Sequence, residues 1–187
     1  IAKVVLLSAS TAVARELLGK VLVCGKLEAR IIECEAYLDG NDRASHARFG
    51  KTSRTAVMFG PGGHAYVYLC YGIHQMFNVV CKEQGDPGAV LIRGVRVLGK
   101  SADVDKKTDG PGKLTRVMGI ARNDNCCDLT TSDRLYIRQG ISSHLERRRT
   151  VIIICINDAN FLVTASLALE QHEQFPKAYL AEGLDHL

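Results

Sequence analysis

Residues 30–37 read Arg-Ile-Ile-Glu-Cys-Glu-Ala-Tyr, so two carboxylates alternate with small or apolar side chains. In a strand, side chains at i and i+2 share a face. Glu33, Glu35 and Tyr37 then stand on one surface, while Ile32, Cys34 and Ala36 turn to the other. A carboxylate beside an aromatic ring suits a stacked nucleobase whose sugar comes near Glu35 or Glu33. Two glutamates on a half-exposed strand are the plainer alternative. Asp42 and His46 follow closely and, with the glutamates, would make a metal-dependent hydrolase site. No HxxxH, HExxH or CxxC spacing supports that reading. Gly110-Pro111-Gly112-Lys113-Leu114 resembles a phosphate loop only in part. Lys107 stands where a Walker A motif needs Gly and Leu114 where it needs Ser or Thr, which disfavours nucleotide hydrolysis. What remains is a helix N-terminus with Lys113 in its first turn, able to hold one phosphate, or an ordinary Gly-Pro helix start.

The surroundings of these residues are basic and aromatic. The chain of 187 residues carries 24 Lys and Arg against 20 Asp and Glu, a net charge of +4. That mean hides an asymmetry. Residues 43–116 hold 12 bases against 5 acids, whereas the stretch from Asp158 onward holds Lys177 alone against five acids. Arg43, Arg48, Lys51 and Arg54 form the densest basic run, and Arg147, Arg148 and Arg149 a second cluster. Tyr37, Tyr66, Tyr68 and Tyr71 fall in the same region as the first run. Rings interleaved with bases are what stacking on nucleobases together with phosphate contact requires. Solvated lysines and arginines, and tyrosines packed on a sheet, are the alternative.

One domain must position all this, since 187 residues is the length of a single domain that can bury a core unaided. Ser10 or Thr11 is expected to cap a short helix carrying Val13, Leu17 and Leu18, closed by Gly19. Strands are expected at 21–23, 29–37, 89–98, 136–137 and 151–156, with mostly strand over 57–80 broken by a turn at 59–63. A polar loop covers 43–55, and a helix covers 113–119. Strands arrive in runs, which predicts an α+β fold: a single domain, residues 1–187, with a curved, largely antiparallel sheet flanked by helices and a protruding β-hairpin. The longest aliphatic run, near 151–156, is far short of a membrane span, and no signal peptide is visible. Seven cysteines without a CxxC pair predict reduced thiols and a cytoplasmic or nuclear protein.

The ordered set Glu33-Cys34-Glu35-Ala36-Tyr37-Leu38, Asp42, Ala44, His46, Met58-Phe59, Pro61-Gly62, Tyr66-Val67-Tyr68, Tyr71-Gly72, Asn78, Gly85-Asp86 and Ala89-Val90-Leu91-Ile92-Arg93 resembles the alkyladenine (3-methyladenine) DNA glycosylase family. Ala14-Arg15 with Leu17-Leu18-Gly19-Lys20 upstream, and Gly110-Pro111 with Lys113-Leu114 downstream, extend the match to roughly residues 12–137. The resemblance implies a monofunctional base-excision glycosylase, which flips alkylated or deaminated purines from duplex DNA and hydrolyses the N-glycosidic bond. 3-Methyladenine is the expected substrate, with hypoxanthine a further candidate. On the same resemblance Glu35 activates the water and Arg93 holds it with the carboxylate. Tyr37 on one side, with His46 and Tyr68 on the other, sandwiches the base. Asn78 crowds the amino group of normal guanine, and Tyr71 fills the gap in the stack. Arg48 and Lys113 are expected to meet DNA, and the turn at 59–63 to lie at the hairpin tip in the minor groove. The expected partner is double-stranded DNA bound by a monomer, with no membrane, no cofactor and no metal. Residues 146–187 lack the Gly-rich turn and aromatic-Arg-Phe-like strand that end other family members. A non-catalytic nucleic-acid-binding domain is the competing reading.

Overall fold

The computed structural model describes residues 7–99, 107–140, 150–156 and 162–168. The cluster Arg147, Arg148 and Arg149 and the acidic residues from 169 onward lie outside them. The chain runs α1 (Ser10–Leu17), β1 (Val21–Cys24), β2 (Leu27–Tyr37), β3 (Ala65–Cys70), β4 (His74–Val80), β5 (Ala89–Leu98), β6 (Lys107–Asp109), α2 (Pro111–Met118), β7 (Leu135–Arg138), β8 (Thr150–Ile156) and β9 (Leu162–Ala168). Short 3-10 turns occupy His46–Phe49, Ala56–Phe59 and Arg122–Asp124.

The sheet order is β3-β4-β5-β2-β1-β7, with β6 added to β5 and the β8–β9 hairpin added to β2. Every pairing is antiparallel except β2 with β8. This is the expected α+β arrangement. One face carries the core: Leu22, Ile31, Cys34, Phe77, Ile92 and Ile137 meet Val13 and Leu17 of α1 and Leu114 and Met118 of α2. Each such side chain contributes about 1.5–3 kcal/mol by leaving water. The opposite face, over β2–β5, holds a smaller cluster of Tyr66, Tyr68, Val80 and Ala89 under Ala47 and Met58 from the 3-10 turns.

Three expectations change. Helix α1 starts at Ser10 after Ala9, without a side-chain cap; the Ser10 hydroxyl instead accepts from the Cys81 thiol at 3.3 Å. Residues 56–59 are a 3-10 turn rather than strand. The Phe59–Gly63 segment is not the hairpin tip. Gly63 donates to the Val80 carbonyl, at the far end of β4, because the Gly-Pro-Gly-Gly run only delivers the chain into β3. The tip of the β3–β4 hairpin is Tyr71-Gly72-Ile73, where Ile73 donates to the Cys70 carbonyl and Cys70 pairs with His74.

Candidate active site

The site begins with an irregularity shared by two strands. Along β2 and β5 the register runs Ile31↔Val95, Glu33↔Gly94, Cys34↔Ile92 and Glu35↔Leu91. Ile32 and Arg93 are stepped over, one on each strand, so both change which face they present. Ala29 and Ile31 enter the core before the step, and Cys34 and Ala36 after it. The same happens on β5 between Ile92 and Val95. A bulge is the usual device for re-aiming side chains. Ile32 is therefore buried without joining the main core, a departure from simple alternation. Glu33, Glu35, Tyr37 and Arg93 are thereby delivered to the face away from the helices.

There Arg93 forks between the two carboxylates. Its Nη1 donates to Glu35 at 2.5 Å and its Nε to Glu33 at 3.0 Å. The Glu35 side chain is 3% exposed and that of Arg93 31%. Burial works against charge on Arg93, but the two carboxylates outweigh it and its pKa rises. Gly94 permits this fork, since a Cβ there would come within 3.2 Å of both the Glu33 Cβ and the Thr108 carbonyl. Burial first, and then the neighbouring Glu35 carboxylate, push the Tyr37 phenol well above its ordinary range. It therefore stays a donor at any physiological pH.

Beside Glu35 opens a pocket of about 240 Å³, counting the space at its mouth, lined by Tyr37, Ala44, His46, Met58, Tyr66, Tyr68 and Asn78. The four residues expected to hold a base thus line one cavity. The His46 ring meets Tyr68 edge-on with centroids 4.6 Å apart, and its Nδ1 lies 2.9 Å from the Tyr66 hydroxyl. Burial lowers the His46 pKa, helped by the charges of Arg54 and Arg48, so the ring is neutral near pH 7. Asn78 is buried in β4, where its Nδ2 donates to the Tyr66 carbonyl at 3.1 Å. From the sequence, Tyr66 belongs to the tyrosine cluster and the family motif but carries no role of its own in the site. The signal was there, because Tyr66 and Tyr68 are two apart on β3 and share a face.

The roof over this cavity is held by its own polar side chains. Asp42, buried, accepts from the backbone N–H groups of Leu38 at 3.1 Å and Ala44 at 2.9 Å. Ser45 accepts from Ala47. Asp42 and His46, weighed as metal ligands, thus serve the loop and Tyr66 respectively, while Glu33 and Glu35 serve Arg93. Among the described residues no cluster of three possible ligands exists.

The expected DNA contacts lie outside the pocket. Tyr71 is 92% exposed at the hairpin tip, with Ile73 exposed beside it. Arg48 is exposed; its guanidinium covers Phe49 at 4.4 Å and donates to the Arg43 carbonyl at 2.7 Å. Lys113 is exposed in the first turn of α2. Gly112 of that turn lies against His74, which adjoins the hairpin tip. Beyond the described core, the backbone of β8 runs parallel to β2 from Glu33 to Ala36, so a strand from the divergent C-terminal part flanks the carboxylate-bearing one. Among the described residues no helix is long and apolar enough to cross a membrane.

Comparison with known proteins converges on one family. The profile of the methylpurine-DNA glycosylases matches residues 5–160. A protein of Methanocella arvoryzae whose provisional name is 3-methyladenine DNA glycosylase is 44% identical over 142 residues, covering 68% of this chain and 71% of the relative. A Rickettsia felis protein with the same provisional name is 42% identical over 125 residues, covering 67% and 69%. A third, from Myxococcus xanthus, is 46% identical over 132 residues, covering 68% and 67%.

Proposed function

The chain belongs to the methylpurine-DNA glycosylase family, and on that premise we propose how this DNA-3-methyladenine glycosylase excises a damaged purine. The observation that carries the reading is the buried Glu35 carboxylate, fixed by Arg93 at 2.5 Å beside a cavity lined by three tyrosines and a histidine.

A base inside a duplex must leave the stack before its glycosidic bond can be attacked, at a cost of a few kcal/mol. Tyr71, held clear of the protein, is the side chain that fills the gap. The extruded purine enters between Tyr37 and the His46–Tyr68 pair. A cationic alkylpurine gains about 0.5–2 kcal/mol from such ring faces, which a neutral purine lacks. Asn78 crowds the exocyclic amino group of guanine.

At Glu35 a water loses its proton to the carboxylate as its oxygen bonds to C1′. The C1′–N bond breaks with its electron pair passing to the base. Arg93 holds and aims the Glu35 carboxylate. Among the described residues the pocket lining holds no lysine, which favours hydrolysis by water over a Schiff base. Arg48 and Lys113 supply charge toward the phosphates, and the enzyme acts as a monomer on double-stranded DNA.

The test is base release from a duplex carrying one 3-methyladenine, run with and without borohydride. Free base is expected, with the strand intact and no trapped protein–DNA adduct. Binding without release would make the chain a nucleic-acid-binding module instead, and a trapped adduct would overturn the hydrolytic route.

A further inference from the structure

Arg54 stands against the wall of the pocket without lining it. It lies within the Thr52–Thr55 turn, where Thr55 donates to the Gly50 carbonyl at 2.8 Å and the Thr52 N–H donates to the Thr55 hydroxyl at 2.8 Å. Its own side chain is exposed, but its head group is placed. The guanidinium carbon lies 5.0 Å from the Tyr68 ring centroid, and its charge favours ionisation of the Tyr66 hydroxyl against the effect of burial. That hydroxyl in turn contacts the His46 ring. One positive charge therefore lies against the Tyr68 ring and acts on Tyr66 and His46 as well. The lining itself carries no Lys, Arg, Asp or Glu.

Glycosidic cleavage changes the charge of the base. The C1′–N bond breaks with both electrons going to the base, water oxygen bonds to C1′, and the water proton goes to Glu35. A cationic alkylpurine departs neutral. A positive charge behind the wall opposes the bound cationic base and relaxes as that base becomes neutral. An interaction that is worse in the ground state than in the transition state raises the maximal rate at the expense of binding. Arg54 also occupies the Tyr68 ring as a cation–π partner, so the incoming cation meets a ring already engaged.

We propose that Arg54 is a specificity-determining and positioning residue, which acts through Tyr66 and Tyr68 to weaken the hold on a cationic alkylpurine while speeding its departure. This rests on the glycosylase reading of the pocket. It differs from a phosphate contact, the obvious role for an exposed arginine, in the sign of its effect on damaged DNA.

The experiment is single-turnover release of alkylpurine from methylated duplex DNA at varied enzyme concentration, with affinity for undamaged duplex measured in parallel. Arg54→Gln is expected to lower the maximal rate about three- to tenfold, the range left after solvent screening of an exposed charge. The same variant is expected to bind damaged duplex tighter, relative to undamaged, by a factor of a few. Arg54→Lys keeps the charge and is expected to restore most of both. A loss of binding equal on damaged and undamaged duplex, with one phosphate contact gone from the salt dependence, would overturn the proposal, as would an unchanged rate. A wild-type enzyme that releases no alkylpurine would instead overturn the glycosylase reading, and this proposal with it.

Discussion

Asn78 and Tyr71 sit seven residues apart on the same hairpin, one 1% exposed and the other 92%. Asn78 is paired to Tyr66 on one side and Leu91 on the other, and its side chain is bonded as well. Tyr71 has φ 51 followed by φ 73 at Gly72, the two positive values that a type I′ turn requires. A tyrosine in that region is strained by about 1–2 kcal/mol, and no packing repays it at such exposure. The pocket end of the hairpin is fixed from every side, whereas the tip holds an unfavourable residue outward. Groups that do chemistry need neighbours to aim them. A group proposed to enter DNA would find its neighbours only there.

Changes at the pocket end should therefore damage fold and activity together, and changes at the tip should separate them. The largest effect is expected for Arg93→Ala. It leaves the Glu35 carboxylate buried with its cation gone, a loss of roughly 3 kcal/mol in stability, with excision falling alongside; a urea titration and a single-turnover assay read both. Glu33→Ala frees the Nε of Arg93 and lets the guanidinium swing. A roughly tenfold slower maximal rate with unchanged half-saturation is expected. Glu33→Gln keeps an accepting oxygen for that Nε and should lose much less. Equal losses in the two variants would mean that charge, not aim, is what Glu33 supplies.

Tyr71→Gly is the sharpest test of the comparison. It relieves the left-handed tyrosine, so stability should rise by about 1 kcal/mol while excision from duplex DNA drops. Thermal melting and base release, measured on one preparation, check the opposite signs. A variant that loses both would place Tyr71 among the packed residues.

The smallest effect concerns pH. His46 has its folded pKa lowered by burial and by Arg54 and Arg48, whereas the unfolded value is about 6.5. The unfolded chain thus binds the proton more readily, and stability falls as pH drops below about 6.5 toward the folded pKa. Wild type should lose ground to His46→Gln between pH 7 and 5.5 by less than about 1 kcal/mol, as compared by urea midpoints. A constant difference would show that His46 titrates as freely as an exposed histidine.

Much of this was legible in the chain. Strand β5 spans the residues that alternation marks, and α2 follows its Pro at the first turn and closes on Gly119 in the left-handed region. Tyr37, His46, Tyr68 and Asn78, expected from resemblance, line one cavity. The rest escaped for physical reasons. Ile31 and Ile32 are both apolar, so nothing in the pattern reveals the step that turns β2 over between them and Cys34. Its counterpart on β5 is equally hidden. Tyr66 reads as sheet surface until Asn78 is placed opposite. The hairpin tip was misplaced because Gly-Pro-Gly-Gly is a stronger turn signal than Tyr-Gly. Pairing of β8 with β2 joins residues more than a hundred apart, beyond any local pattern.

The central claim is that Glu35 activates the water that releases the base. It is tested most directly by single-turnover release of 3-methyladenine from duplex DNA by wild type and Glu35→Gln, each shown by melting to be folded. Loss of a general base predicts a rate at least about a hundredfold lower, with damaged DNA still bound. Release by Glu35→Gln within a few-fold of wild type would contradict it.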